Sequence, residues 1–149
     1  MTKEKKIVVF DEDEFYPITV DLVLHSLGVD SCESYSNQSE YKTFLKNLEN
    51  NKFNGAFYII DEFFLKGGVN LVELVEKIRK YDKSAKVISH TVSVPPEDNE
   101  DNKKTINLYD DYIVKSSRSN NKTLIKVLSE LLGIEFVFDN SDPEFELNK

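Results

Sequence analysis

Apolar runs alternate with amphipathic stretches along most of the chain, the pattern of strands and helices taken in turn around a parallel sheet. "KKIVVFD" predicts a first strand. Pro17 suits the first turn of a helix, which Ile18, Leu22 and Leu24 to Leu27 continue to a stop at Gly28. A weak second strand is expected around "SCESYS". Tyr41, Phe44, Leu45 and Leu48 then recur at helical spacing and predict a second helix with one apolar face. After the turn "NNKFNG", the run "AFYIID" is nearly all apolar and ends in a carboxylate, which makes it the best candidate for a central parallel strand. Gly67 and Gly68 punctuate the loop that follows. Leu71, Leu74, Val75 and Ile78 predict a third helix reaching "KYDKS". "AKVISHT" and "DYIVK" read as the fourth and fifth strands. A last helix is expected from about Ser119 to Leu132, with Leu124, Ile125, Leu128, Leu131 and Leu132 inward and Gly133 as its stop.

Two segments break this rhythm. "VSVPPEDNEDNKKT" lies where a helix should join the fourth and fifth strands, yet it has no apolar residue from Pro95 to Thr105. A helix there must be short, loosely packed or shifted toward Ile106 and Leu108, and Pro95 to Lys104 reads most simply as a solvated loop. The tail "IEFVFDNSDPEFELNK" starts with a strand-like alternation and then turns acidic. It is too short for a second domain, so the expected division is one unit over 1–133 and an acidic tail over 134–149. The fold class implied is α/β: a doubly wound, five-stranded parallel sheet with helices on both faces.

Composition narrows the function classes. A chain of 149 residues, 40% hydrophobic and 31% charged, suits one globular domain. A net charge of −8 argues against direct nucleic-acid binding, which needs a basic face. "MTKEKK" does not begin a secretory signal, and no apolar stretch is long enough for membrane insertion. Cys32 is the lone cysteine and has no internal disulfide partner, which suits a cytoplasmic location. With no nearby histidine and Glu33 beside it, Cys32 reads as buried or half-buried filler rather than a nucleophile.

The chemistry gathers where strands end. In an open parallel sheet, functional groups collect outside the carboxyl ends of the strands. Those ends carry Asp11 and Glu12, then Asp61, Thr91 and Lys115. Asp13 and Glu14 continue the acidic run and suit the start of the first helix. Acids at the strand ends would bind Mg²⁺, a hard cation that prefers oxygen ligands. One carboxylate could attack phosphorus while the metal and Lys115 offset charge on the phosphoryl oxygens. His25 and His90 lack metal-ligand spacing and read as packing or surface residues. Asp110 and Asp111 precede the fifth strand, at the end away from this crevice.

This ordered set resembles the receiver domain of bacterial two-component response regulators over roughly Lys5 to Gly133. The residues that carry the resemblance are the acidic pair in "FDED", Asp61 in "YIID", Thr91 in "VISHT", and Tyr112 and Lys115 in "DDYIVK". The resemblance implies a flavodoxin-like sheet of order 2-1-3-4-5. It implies that Asp61 takes a phosphoryl group from the phosphohistidine of a sensor histidine kinase or a histidine phosphotransfer protein. Mg²⁺ would be held by Asp11 or Glu12, by Asp61 and by the backbone carbonyl of Phe63. Lys115 would pair with the acyl phosphate, Thr91 would bond its oxygen, and Tyr112 would rotate inward to reshape a docking face for an unknown downstream protein. A stand-alone receiver or phosphorelay intermediate is the form this suggests.

Three positions depart from the family: Ser116 and Leu65 stand where proline is usual, and Val92 where a small residue is usual. Two alternatives remain at this level. The first is a phosphorylation-independent pseudo-receiver that only binds partners. The second is a haloacid-dehalogenase-like phosphatase using Asp11 as nucleophile and Asp13 as acid, although the next acid after Lys115 is Glu130, inside a predicted helix.

Overall fold

Every residue of β1 (Ile7–Phe10) and β3 (Phe57–Asp61) is buried, as expected for strands covered on both faces. The computed structural model describes residues 6–92, 107–115 and 120–135. The remaining elements are α1 (Phe15–Ser26), β2 (Glu33–Tyr35), α2 (Gln38–Glu49), α3 (Leu71–Tyr81), β4 (Lys86–Thr91), β5 (Asp111–Val114) and α4 (Asn120–Leu132). The five strands pair in parallel in the order β2-β1-β3-β4-β5. The doubly wound fold is as the sequence pattern implies, and the strand order is the one the resemblance implies.

Strand alternation sorts the core into two layers. Val8, Phe10, Tyr58, Ile60 and Val87 face α2 and α3, meeting Phe44, Leu48, Leu74, Val75 and Ile78. Ile7, Val9, Phe57, Ile59, Ile88 and Ile113 face α1 and α4, meeting Val20, Leu24, Leu124 and Leu128. On the α2 side Phe10 sits edge-on to Phe44 at 4.8 Å and to Phe64 at 5.4 Å between ring centres.

Local signals set the element ends. Asn37 caps α2 by accepting from Glu40 N–H at 2.9 Å, and the Glu40 carboxylate accepts from Ser36 N–H at 2.8 Å, a reciprocal capping arrangement. Asn70 caps α3 in the same way through Val72 and Glu73 N–H. Gly28 and Gly133 follow α1 and α4 at φ 76° and 68°, left-handed geometry that favours glycine.

α1 forms where the sequence predicts a helix, and its apolar residues divide between two faces. Its inward face is Tyr16, Val20, Val23 and Leu24, while Ile18 and Leu22 lie outward at 55% and 66% exposed. The helix is apolar on most sides, so spacing alone did not choose the face. At the bottom of the sheet, Asp82 is buried and accepts from Gly55 N–H, Ala56 N–H and the Tyr58 hydroxyl at 2.6, 3.0 and 2.9 Å. Beside it, Asp110 accepts from Val87 N–H at 2.8 Å and pairs with Arg79 at 3.3 Å, at the end away from the crevice.

The expected loop 95–104, Ser116 and the tail beyond 135 lie outside the described residues. Asn107 and Leu108 are helical, and Leu108 packs against the α2–α3 layer. Among the described residues no helix is long and apolar enough to cross a membrane.

Candidate functional site

Three strands deliver one row of polar side chains at the carboxyl edge. β3 and β4 pair Asp61 opposite His90, and Phe10 of β1 stands opposite Ile60, so Asp11 lies one step beyond in the same row. Residues in register on neighbouring strands share a face. This row therefore continues the Val9, Ile59 and Ile88 layer toward α1, and Tyr16 of α1 covers it.

Each carboxylate in the row is split between two tasks. Asp11 Oδ1 accepts from Asp13 N–H at 2.8 Å, and Asp11 Oδ2 lies 3.8 Å from His90 Nδ1. Asp61 Oδ2 accepts from Phe63 N–H at 3.0 Å, and Asp61 Oδ1 lies 3.7 Å from His90 Nδ1 while forming an ion pair with Lys115 Nζ. Asp11 and Asp61 are 6% and 7% exposed. Two buried carboxylates against one ammonium leave the pocket electronegative, which a bound cation would offset. Lys115 is carried there by the end of β5, where its N–H donates to Thr91 carbonyl oxygen at 2.7 Å. Its Nζ also lies 5.1 Å from the Phe63 ring centre.

The other sequence-predicted residues sit around this centre. Glu12 is exposed, and its carboxylate accepts from Leu65 N–H at 2.6 Å rather than joining Asp11 and Asp61. Leu65 has φ 47°, a value closed to proline, so the proline that the resemblance would put here does not fit this loop conformation. The Phe63 carbonyl accepts from Lys66 N–H at 3.1 Å, which leaves its second lone pair. Thr91 is buried and donates to Glu62 Oε2 at 2.6 Å, while Glu62 Oε1 accepts from Val92 N–H at 2.8 Å. Tyr112 is half-buried on β5, 5.8 Å from the Tyr109 ring, and burial raises its phenol above the ordinary value. Asp13 accepts from Phe15 N–H at 2.9 Å at the start of α1.

Three residues of the site were not singled out in the sequence as functional. His90, read there as packing or surface, is 4% exposed, stacks on Tyr16 at 3.9 Å and turns Nδ1 toward both carboxylates. Its signal was positional: it stands directly before Thr91, in register with Asp61. Tyr16 has a buried hydroxyl with no hydrogen-bond partner among the described residues. Burial first, then the Asp11 and Asp61 charges, push its phenol far up. Glu62 is the third, recognisable only once β3 and β4 are paired. His25 is exposed, 3.2 Å from the Ser31 hydroxyl. Cys32 is half-buried, and burial followed by Asp21 pushes its thiol up to about 12, so it is no nucleophile near neutral pH.

No protein-family profile matches the chain, and no curated protein matches it. Solved structures do. The chemotaxis response regulator CheY4 of Vibrio cholerae superposes with a TM-score of 0.64 at 20% identity, covering 87% of this chain and all of that one (100%). A CheY-like response regulator receiver domain protein from Methanospirillum hungatei gives 0.63 at 24% identity, over 88% of this chain and 95% of that one. A signal receiver domain from Clostridium thermocellum gives 0.64 at 18% identity, over 89% and 100%. Such identities speak to architecture, and on that basis the chain has the CheY-like fold of response-regulator receiver domains.

Proposed function

We propose that the chain is a receiver module of two-component signalling, spanning 1–133, in which Asp61 is the phosphoacceptor. The observation that carries this reading is the pairing of Lys115 with Asp61 beside Asp11, in a buried pocket at the carboxyl edge of a 2-1-3-4-5 sheet. A carboxylate oxygen of Asp61 would attack the phosphorus of a phosphohistidine. The P–N bond breaks, its electron pair stays on the donor imidazole, and an acyl phosphate forms. Lys115 offsets the negative charge spread over the phosphoryl oxygens.

The pocket's excess of buried carboxylate oxygen fits a hard cation. Asp11 or Glu12, Asp61 and the Phe63 carbonyl would hold Mg²⁺, which when bound supplies further charge neutralisation at phosphorus. Thr91 would leave Glu62 to bond a phosphoryl oxygen, and Tyr112 would repack and alter the surface offered to partners. This is a population shift between two packings. The donor would be a sensor histidine kinase or a histidine phosphotransfer protein, and the output a downstream protein docked on that surface. The setting would be the cytoplasm, where Cys32 stays reduced.

Incubation with acetyl phosphate and Mg²⁺, followed by intact-mass analysis, tests the reading. One phosphoryl group is expected on the parent and none on Asp61→Asn, and equal labelling of both overturns it. A second reading has one observation in its favour. Glu62 occupies both the Thr91 hydroxyl and the Val92 N–H, groups near the phosphoacceptor strand end, as a phosphorylation-independent interaction module would allow. Absence of labelling on the parent under these conditions supports that module. The phosphatase reading has less behind it, since Asp13, its required acid, is committed to Phe15 N–H.

A further inference from the structure

His90 is the feature that the proposed reading leaves unused. A buried imidazole whose nitrogens lack hydrogen bonds is unfavourable, because burial removes water and nothing replaces it. Neither His90 nitrogen has a hydrogen-bond partner among the described residues. Its Nδ1 faces Asp11 Oδ2 at 3.8 Å and Asp61 Oδ1 at 3.7 Å, both beyond hydrogen-bond length. Two acids and an imidazole, each aimed at a common point and none touching, describe ligands around an ion.

We propose that Asp11 Oδ2, Asp61 Oδ1 and His90 Nδ1 form a mixed oxygen–nitrogen site that takes a first-row transition dication, of which Zn²⁺ and Co²⁺ are the probes, in preference to Mg²⁺. The inference rests on the proposed reading in taking the pocket as a cation site, but not on phosphorylation of Asp61. All three donor atoms lie within 4.8 Å of one another. A metal about 2.1 Å from each donor holds neighbours about 3.0 Å apart in octahedral and about 3.4 Å apart in tetrahedral geometry. Closing from 3.7 and 3.8 Å asks for only small side-chain movements.

Ligand type decides the preference. Mg²⁺ favours oxygen, whereas imidazole suits zinc, cobalt, nickel and iron. The outer contacts are already made: Asp13 N–H and Phe63 N–H hold the second oxygen of each carboxylate, and the Tyr16 ring holds the imidazole plane. Such support fixes ligand orientation and raises affinity. Lys115 shares Asp61 Oδ1, so metal binding draws that oxygen partly away from the ammonium. Asp11 and Asp61 against Lys115 leave one negative charge in excess to meet a dication.

The test uses the full chain stripped with chelator. Long-range ¹H–¹⁵N imidazole spectra are recorded during Zn²⁺ titration, with His25, the other histidine, as internal control. Zn²⁺ should move the His90 Nδ1 resonance and leave His25 in place. Calorimetry on His90→Asn should show Zn²⁺ and Co²⁺ affinity reduced about tenfold or more, with Mg²⁺ affinity changed far less. A His90 ring indifferent to bound Zn²⁺ overturns the proposal, as does an unchanged Zn²⁺-to-Mg²⁺ ratio in the variant, or no metal binding at all. The spectra need no variant, so a folding defect in His90→Asn cannot mask the answer. If Mg²⁺ supports labelling of Asp61 while His90 stays silent, the metal proposal falls and the receiver reading stands. If Zn²⁺ binds through His90 and Asp61 never labels, the metal proposal stands and the receiver reading falls.

Discussion

Replacing Glu62 with alanine would remove a carboxylate that holds Thr91 and the start of the next loop together. The Thr91 hydroxyl donates to one oxygen at 2.6 Å and Val92 N–H donates to the other at 2.8 Å. A hydrogen bond to a charged group contributes about 1.5–3 kcal/mol net when sheltered. Thr91 is 3% exposed and falls in that range, whereas Val92 is 58% exposed, where water competes and about 0.5 kcal/mol is reasonable. The clamp is therefore worth about 2–3.5 kcal/mol, equivalent to roughly 30- to 400-fold in the balance between held and released Thr91. If Thr91 must turn to a phosphoryl oxygen, Glu62→Ala should raise steady-state labelling of Asp61 at limiting acetyl phosphate by at least about tenfold. Glu62→Gln keeps one acceptor and should fall between. Phos-tag electrophoresis at fixed Mg²⁺ reads the labelled fraction directly. Labelling within about twofold of the parent, in a variant whose urea midpoint shows it folded, would refute the idea that Glu62 restrains Thr91.

Other expectations concern the frame. Asp82→Ala leaves Gly55 N–H, Ala56 N–H and the Tyr58 hydroxyl without their acceptor. At about 1–3 kcal/mol per stranded donor, moderated by water entry, the loss should be about 3–5 kcal/mol; a urea midpoint that barely moves would contradict this. Cys32, with its thiol pushed from 9.0 to about 12, should alkylate at pH 8 far more slowly in the folded chain than in urea. The sign for stability follows: the folded thiol ionises later than the unfolded one, so its contribution is full below pH 9.0 and is lost as pH rises toward 12. Equal alkylation rates in folded and unfolded chain would show the thiol to be accessible and unperturbed.

The architecture was legible because β1 and β3 are buried on both sides, so their sequences are apolar without a break. The helices α2 and α3 were equally plain, since Phe44, Leu48, Leu74, Val75 and Ile78 fall on single faces. α1 was not. Phe15, Ile18 and Leu22 are as apolar as Tyr16, Val20 and Leu24, and packing against the sheet chose between them. The meeting of Asp11, Asp61 and Lys115 followed from strand ends sharing one edge. Glu12 lies apart from that row, its long side chain reaching from a turn to accept from Leu65 N–H. His90 and Glu62 depend on the register between β3 and β4, a relation between distant segments that no local pattern contains.

The two oxygens of Asp61 have a consequence for any covalent chemistry there. One serves the Phe63 main chain and the other serves Lys115. A group attached at Oδ2 would weaken the grip on the turn after β3; a group at Oδ1 would unseat the ammonium at the end of β5. Neither oxygen is idle, so modification cannot be a local event. It must be felt either in the turn that bears Glu62 or in the strand that bears Tyr112.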